Sequence, residues 1–210
     1  MTQWVETYAE THSDEEPEIL RRLGRHTHVK HINGRMQSGH LQGRLLTMLC
    51  RMIQPKRILE AGTFTGYAAI CLAEGSGPDA CVDTIERNDE LETEIRYWIN
   101  ESGYAARIRL HIGDALEVIP TLTEPYDLAF LDLDKRLYSD CYEAILRVIR
   151  PGGFILVDNT LWNGKIAGEI AKNDTQTLAI SKFNDYIAQD KRVDKVLLPI
   201  RDGLTILHKR

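Results

Sequence analysis

Two short runs carry side chains able to do chemistry, Asp132-Leu133-Asp134-Lys135 and Asp158-Asn159. Each closes an apolar run of strand type, Tyr126 to Asp132 and Gly153 to Asp158. In an open α/β sheet, ligands gather at the carboxyl ends of strands. Asp132, Asp158 and Asn159 would converge there as a hard, all-oxygen donor set. Such a set suits Mg²⁺, Ca²⁺ or Mn²⁺ and is poor for zinc. Three protein ligands also leave positions for substrate or water. Each run alone has a plainer account, since Asp-Asn makes turns and Asp-x-Asp caps helices. Two such runs at neighbouring strand ends are harder to dismiss.

A third feature is the loop Glu60-Ala61-Gly62-Thr63-Phe64-Thr65-Gly66, after the apolar run that begins at Arg57. Glycines at a strand-to-helix turn let backbone approach a ligand closely. The Gly-x-Gly-x-x-Gly spacing of dinucleotide-binding proteins is absent. The Glu60 carboxylate would repel a pyrophosphate and attract a cation. S-adenosylmethionine carries a sulfonium and an ammonium and no phosphate, so it is favoured over NAD. Glu86 closes the next strand-like run, where an acid accepts hydrogen bonds from ribose hydroxyls; its alternative is a solvated carboxylate opening a helix. Gly113-Asp114-Ala115 closes the third run. Asp114 either lies near the adenine or caps the following helix.

These groups need strands to present them. Apolar runs at Arg57 to Glu60, Cys81 to Glu86, Ile108 to Ile112, Tyr126 to Asp132 and Gly153 to Asp158 alternate with helical patterns at 68–73, 89–102, 115–122 and 138–149. Strict alternation predicts a parallel sheet covered on both faces. Val193 to Ile200 and Leu204 to His208 flank Arg201-Asp202-Gly203, a hairpin signal, so the sheet ends in an antiparallel strand. The expected fold is α/β, a Rossmann-like, mostly parallel, seven-stranded sheet. The expected organisation is a single domain, with residues 1–53 as a helical cap and 54–210 as the cofactor-binding core. Ser13-Asp14-Glu15-Glu16 before Pro17 resembles a capping box opening a cap helix. Leu41, Leu45, Met48, Leu49 and Met52 have helical spacing.

The chain has 210 residues and a net charge of −5, which disfavours non-specific nucleic-acid binding. No apolar run is long enough to span a bilayer, and the N-terminus lacks a basic stretch followed by an apolar core. A cytoplasmic location without membrane association is the default expectation. Cys50, Cys71, Cys81 and Cys141 form no Cys-x-x-Cys pair and read as reduced core residues. His26, His28 and His31 are close enough for a zinc site, but no cysteine accompanies them, and exposed loop histidines are the commoner outcome.

From Met36 to the C-terminus the chain resembles the cation-dependent O-methyltransferases, which include the catechol and caffeoyl-CoA enzymes. The resemblance rests on Met36-Gln37-Ser38, Leu59-Glu60-Ala61-Gly62-Thr63-Phe64-Thr65-Gly66-Tyr67, Phe130-Leu131-Asp132-Leu133-Asp134-Lys135, Pro151-Gly152-Gly153, Asp158-Asn159-Thr160-Leu161-Trp162-Asn163-Gly164 and Leu198-Pro199-Ile200-Arg201-Asp202-Gly203-Leu204. It implies that Asp132, Asp158 and Asn159 bind the metal, that Lys135 is the general base, and that Glu86 holds the ribose. Ser38, Glu60, Gly62, Thr63 and Ala115 match positions lining the methyl donor. Ala68 stands where the family often has a serine touching the methionine carboxylate, so that hydroxyl contact is missing. Asn163 matches a substrate contact of the plant members, and Trp162 either walls the acceptor pocket or packs its loop. The implied reaction moves the methyl of S-adenosylmethionine to a hydroxyl of a small catechol-like aromatic. Two adjacent acceptor oxygens would meet the metal, and Lys135 would take the proton in the cation's presence.

The resemblance to bacterial and plant relatives implies a homodimer, while the resemblance to the animal catechol enzyme implies a monomer. Some bacterial relatives modify a hydroxylated uridine in transfer RNA, and Arg21, Arg22, Arg25, Lys30, Arg35 and Arg44 give the cap basic residues suited to that alternative. A non-catalytic scaffold would have lost a metal ligand or the lysine, and none is lost. An NAD-dependent oxidoreductase is disfavoured by the missing fingerprint and by Glu60.

Overall fold

The alternating apolar runs fold as strands. The computed structural model describes residues 3–210. The strands are β1 (Arg57–Ala61), β2 (Cys81–Glu86), β3 (Ile108–Ile112), β4 (Tyr126–Leu131), β5 (Ile149–Val157), β6 (Val193–Leu198) and β7 (Leu204–Lys209). They form a seven-stranded sheet in the order β3-β2-β1-β4-β5-β7-β6. β2 runs parallel to β3, and β4 parallel to β5. β7 is antiparallel to both β5 and β6, as the Asp-Gly turn predicts. The strand order reverses beside β1, the strand that leads into the glycine loop.

By its internal contacts the chain divides into two units, residues up to 58 with 63–114, and residues 59–62 with 115–210. The first holds α1 (Gln3–Thr11), α2 (Glu18–Lys30), α3 (Gly39–Ile53), α4 (Tyr67–Gly75) and α5 (Glu92–Glu101). α4 is apolar on nearly every side and buried over most of its length, as expected of a helix enclosed by protein. α3 buries Leu46 and Cys50, and its Thr47 hydroxyl donates to the Cys71 carbonyl of α4 at 3.1 Å. The expected capping box is not formed. α2 begins after Pro17 with no side-chain cap, and the Ser13 hydroxyl bonds back to the Ala9 carbonyl at 2.7 Å, at the end of α1. Proline pre-sets a helical entry without needing a side-chain acceptor.

The second unit holds α6 (Ala115–Val118), α7 (Tyr138–Val148) and α8 (Thr175–Gln189). Tyr138, Cys141, Tyr142, Ile145 and Leu146 form the buried stripe of α7, and Ile180, Phe183 and Ile187 that of α8. Phe183 meets Tyr138 and Tyr142 edge-on, at 5.5 and 6.0 Å between ring centres. Both helices end on strand lysines that satisfy free carbonyls. Lys195 of β6 donates to the Ile187, Ala188 and Asp190 carbonyls, and Lys209 of β7 to those of Leu146 and Ile149. β5 starts at Ile149, earlier than the glycines suggest, because a bulge against β4 absorbs Pro151 and Gly152. No disulfide joins the four cysteines among the described residues, and burial pushes the Cys50 thiol up to about 11. No described helix is long and apolar enough to cross a membrane.

Candidate functional site

In the first unit, the glycine loop is fastened at each residue that carries a polar group. Thr63 donates its N–H to the Ile85 carbonyl at 3.2 Å, and its hydroxyl pairs with that of Thr84 at 2.5 Å. The Phe64 N–H donates to Glu86 Oε2 at 2.8 Å, and the Asn88 N–H to Oε1 at 2.8 Å. These two bonds fix the plane of the Glu86 carboxylate while leaving each oxygen a second lone pair for a ribose hydroxyl. Asp114 lies 3.8 Å from the Arg87 guanidinium. Ser38 is buried just before α3, and Ala68 is buried in the first turn of α4. This unit therefore brings Ser38, Thr63, Ala68, Glu86 and Asp114 into one folded body.

The histidines of the cap lie on α2 and its C-terminal end rather than in a loop. His28 bonds the Gly24 carbonyl, while His26 and His31 both approach Glu94 of α5, at 3.4 and 2.9 Å. Among the described residues no group of three or more histidine, cysteine or acidic side chains is placed to hold a metal.

The second unit carries the acids. Asp132 follows β4 and Asp158 follows β5, and the last residues of those parallel strands, Leu131 and Val157, are in register. The Asp158 N–H donates to the Leu131 carbonyl at 3.1 Å, so Asp132 and Asp158 leave the sheet at adjacent strand ends. The Asp132 N–H donates to the Ala61 carbonyl at 2.9 Å. Gly62 sits against that junction with φ 105, and a Cβ there would lie 1.8 Å from the Asp132 carbonyl oxygen. Only glycine fits. Glu60 belongs to β1 itself and is wholly buried, rather than standing in the loop. Ala115 is buried as the first residue of α6.

Lys135 is buried and held from several sides. Its Nζ donates to Asp132 Oδ1 at 2.8 Å and to the Tyr138 hydroxyl at 2.7 Å, and lies 5.7 Å from the centre of the Trp162 ring. Tyr138 in turn donates to the Asp158 carbonyl at 3.1 Å. Burial pushes the Tyr138 phenol well above its ordinary range, and the charges of Asp132, Asp158 and Asp202 push it further. Asp134 does what the plainer account of Asp-x-Asp says. It caps the turn that follows, accepts from the Arg136 N–H at 3.0 Å, and is held below its ordinary range by the Arg136 guanidinium. Asp132 is the acid of that pair left to face Lys135.

The loop after Asp158 turns repeatedly through left-handed backbone, at Asn159 (φ 55), Trp162 (φ 48) and Asn163 (φ 53). Asp202, in the β6–β7 turn, holds it. The Asp202 carbonyl accepts from the N–H groups of Leu161 and Trp162 at 2.8 and 3.2 Å. Its carboxylate accepts from the Asn163 N–H and, at 3.4 Å, from Asn159 Nδ2. With the amide nitrogen of Asn159 turned to Asp202, its side-chain oxygen stays available as an acceptor. Sequence inspection gave Asp202 only a turn role, since nothing in the spacing ties it to a loop some forty residues earlier. Asn163 is exposed, and Trp162 packs toward Lys135 with its buried Nε1–H lacking a hydrogen bond.

A mixed seven-stranded sheet ending in an antiparallel strand, with acids after β4 and β5 and a third at the end of β2, defines a methyltransferase-like class. Residues 10–210 match the family described as O-methyltransferase, and the chain belongs to it. Caffeoyl-CoA O-methyltransferase 2 of Zea mays is 31% identical over 208 residues, covering 92% of this chain and 77% of that one. The methyltransferase PaMTH1 of Podospora anserina, solved with S-adenosylhomocysteine, superposes with a TM-score of 0.91 at 30% identity, covering 99% of this chain and 94% of that one. The O-methyltransferase TomG of Streptomyces achromogenes, solved with S-adenosylmethionine, gives 0.90 at 27% identity, covering 100% and 99%.

Proposed function

We propose that this protein moves the methyl group of S-adenosylmethionine to one hydroxyl of a small catechol-like aromatic, with a divalent cation, Mg²⁺ first among them. The carrying observation is the pair Asp132 and Asp158 at adjacent strand ends, with Lys135 Nζ buried 2.8 Å from Asp132. Cofactor complexes of structural relatives support the methyl donor. The chain's own residues fit a cation. Asp132 and Asp158 follow adjacent strands, and the donors Asp132, Asp158 and Asn159 are hard oxygens. A divalent cation held by those three would acidify the acceptor hydroxyl and orient it.

Lys135 would give up its own proton when a cation is held beside it, and the neutral amine would then accept the hydroxyl proton at Nζ, from a position fixed by Tyr138. Trp162 and Asn163 border the acceptor. Glu86 receives the ribose, and Ser38, Glu60, Gly62, Thr63, Ala68, Asp114, Ala115 and Asp132 line the donor. A transfer RNA acceptor draws less support. Of the six cap cations, Arg21, Arg22 and Arg44 are paired with Glu18, Glu101 and Glu74.

The test is transfer of labelled methyl to caffeic acid, with Mg²⁺ and with chelator. Turnover should require the metal and fall at least about a hundredfold in Asp158→Ala. Turnover that persists in chelator, or in that variant, would remove the cation from the mechanism.

A further inference from the structure

Gln37 and Thr65 stand inside two of the family-like runs, yet the chemistry assigned above uses neither. They meet within the first unit. Thr27 of α2 donates from its hydroxyl to Thr65 Oγ1 at 3.1 Å. Gln37 Nε2 donates to Thr27 Oγ1 at 3.3 Å and to Thr65 Oγ1 at 3.4 Å. Thr27 and Thr65 are wholly buried, and Gln37 is 5% exposed. Three separate stretches of chain, the cap helix, the segment entering α3 and the glycine loop, thus share one buried polar knot.

Such a knot adds little net stability, because isosteric apolar groups could replace all its members at small cost. It supplies direction instead. Hydrogen bonds specify where the partner atoms sit, whereas apolar contacts can slide. The surroundings need that direction. Thr65 follows Phe64, whose φ of 51 is a left-handed conformation costing a non-glycine residue about 1 kcal/mol. The same Phe64 donates its N–H to Glu86, and its ring meets His31 edge-on at 5.4 Å. On the other side of the knot, Gln37 is joined directly to Ser38. A shift of Thr65 therefore moves the peptide that orients Glu86, and a shift of Gln37 moves Ser38.

We propose that Thr27, Gln37 and Thr65 are positioning residues that set the glycine loop and Ser38 for the methyl donor, so that they govern donor affinity and not acceptor affinity. The inference rests on the assignment of S-adenosylmethionine to this loop, and it singles out two buried hydroxyls and an amide to which that assignment gives no contact of their own.

Titration calorimetry with S-adenosylhomocysteine tests it without requiring turnover, alongside Tm and the KM of each substrate. Thr65→Val and Thr27→Val should each weaken binding about five- to tenfold, and each should lower Tm by about 2–6 °C, since a buried partner is left unpaired. The donor KM should rise and the acceptor KM stay put. Thr65→Ser should restore binding. The double valine variant should be no weaker than either single one, because both break the same link. Binding of Thr65→Val within about twofold of the wild type, or matched losses for both substrates in step with Tm, would overturn the proposal. A wild-type protein that binds no S-adenosylhomocysteine would overturn the donor assignment itself; one that binds it while the valine variants are unaffected would overturn only the network.

Discussion

Lys135 is a charged amine with almost no access to water, and its neighbours decide what it can do. Asp132 offers it a carboxylate and Tyr138 a phenol oxygen, while the rings of Tyr138 and Trp162 lie on its flanks, at 4.8 and 5.7 Å. Tyr138 also donates to the Asp158 carbonyl, so one hydroxyl connects the amine with the backbone of the second acid. Tyr138→Phe keeps the ring and removes both bonds. The buried ammonium then lacks one acceptor and the Asp158 carbonyl one donor, a cost of about 1–2 kcal/mol. Tm should fall by about 3–6 °C, and kcat should drop while donor affinity is unchanged. Thermal denaturation together with steady-state kinetics checks this; an unchanged kcat would mean that the phenol does not hold the amine in place for proton transfer. The sequence named Lys135, Asp132, Asp158 and Asn159 because their chemistry is local to two short runs. It could not name Tyr138 as their connector, since a tyrosine in an amphipathic helix looks like core, and it is core as well.

The β6–β7 hairpin was legible at the level of elements because Asp-Gly is a local turn signal. Its second task was not, because that depends on a meeting of distant segments. Gly203 has φ 91, and a Cβ on it would lie 2.5 Å from the Leu161 nitrogen. The Gly203 carbonyl accepts from the Thr160 N–H at 3.1 Å, beside the bonds from Leu161 and Trp162 to Asp202. The hairpin thus rests directly on the loop that carries Asn159. Gly203→Ala must push the two apart, at about 1–3 kcal/mol, lowering Tm by roughly 5 °C and activity with it. Gly168→Ala is the control, since a Cβ there meets nothing within 4 Å. Equal behaviour of the two variants would mean that the hairpin does not set the loop. The early start of β5 was hidden for a related reason. Pro151-Gly152 reads as a break when only local preferences are weighed, and a bulge paired to β4 overrides them.

At the scale of the whole molecule, acid should be the solvent condition to which the fold is most sensitive, because carboxylates tie its elements together. In the second unit Asp190 joins the end of α8 to α7 and to the approach to β6. It accepts from the Tyr142 hydroxyl at 2.9 Å and from the Arg192 N–H at 2.8 Å, and it pairs with the Arg192 guanidinium, which also reaches Glu143. That guanidinium holds Asp190 down to about 2, against an ordinary value of 3.8, and its side chain is only 4% exposed. A carboxyl whose folded value lies below its unfolded one stabilises the fold fully above the unfolded value. The contribution is lost as pH falls toward the folded one. Asp190 therefore contributes up to about 2 kcal/mol at neutral pH and progressively less between about pH 4 and pH 2. Asp190→Asn should lower Tm by roughly 5 °C at pH 7, and the gap to the wild type should close across that same acid window. Thermal melts at half-unit pH steps would show it. A gap that stays constant down to pH 2 would assign the loss to packing or hydrogen bonding rather than to charge, and would leave the acid sensitivity of the fold to other carboxylates.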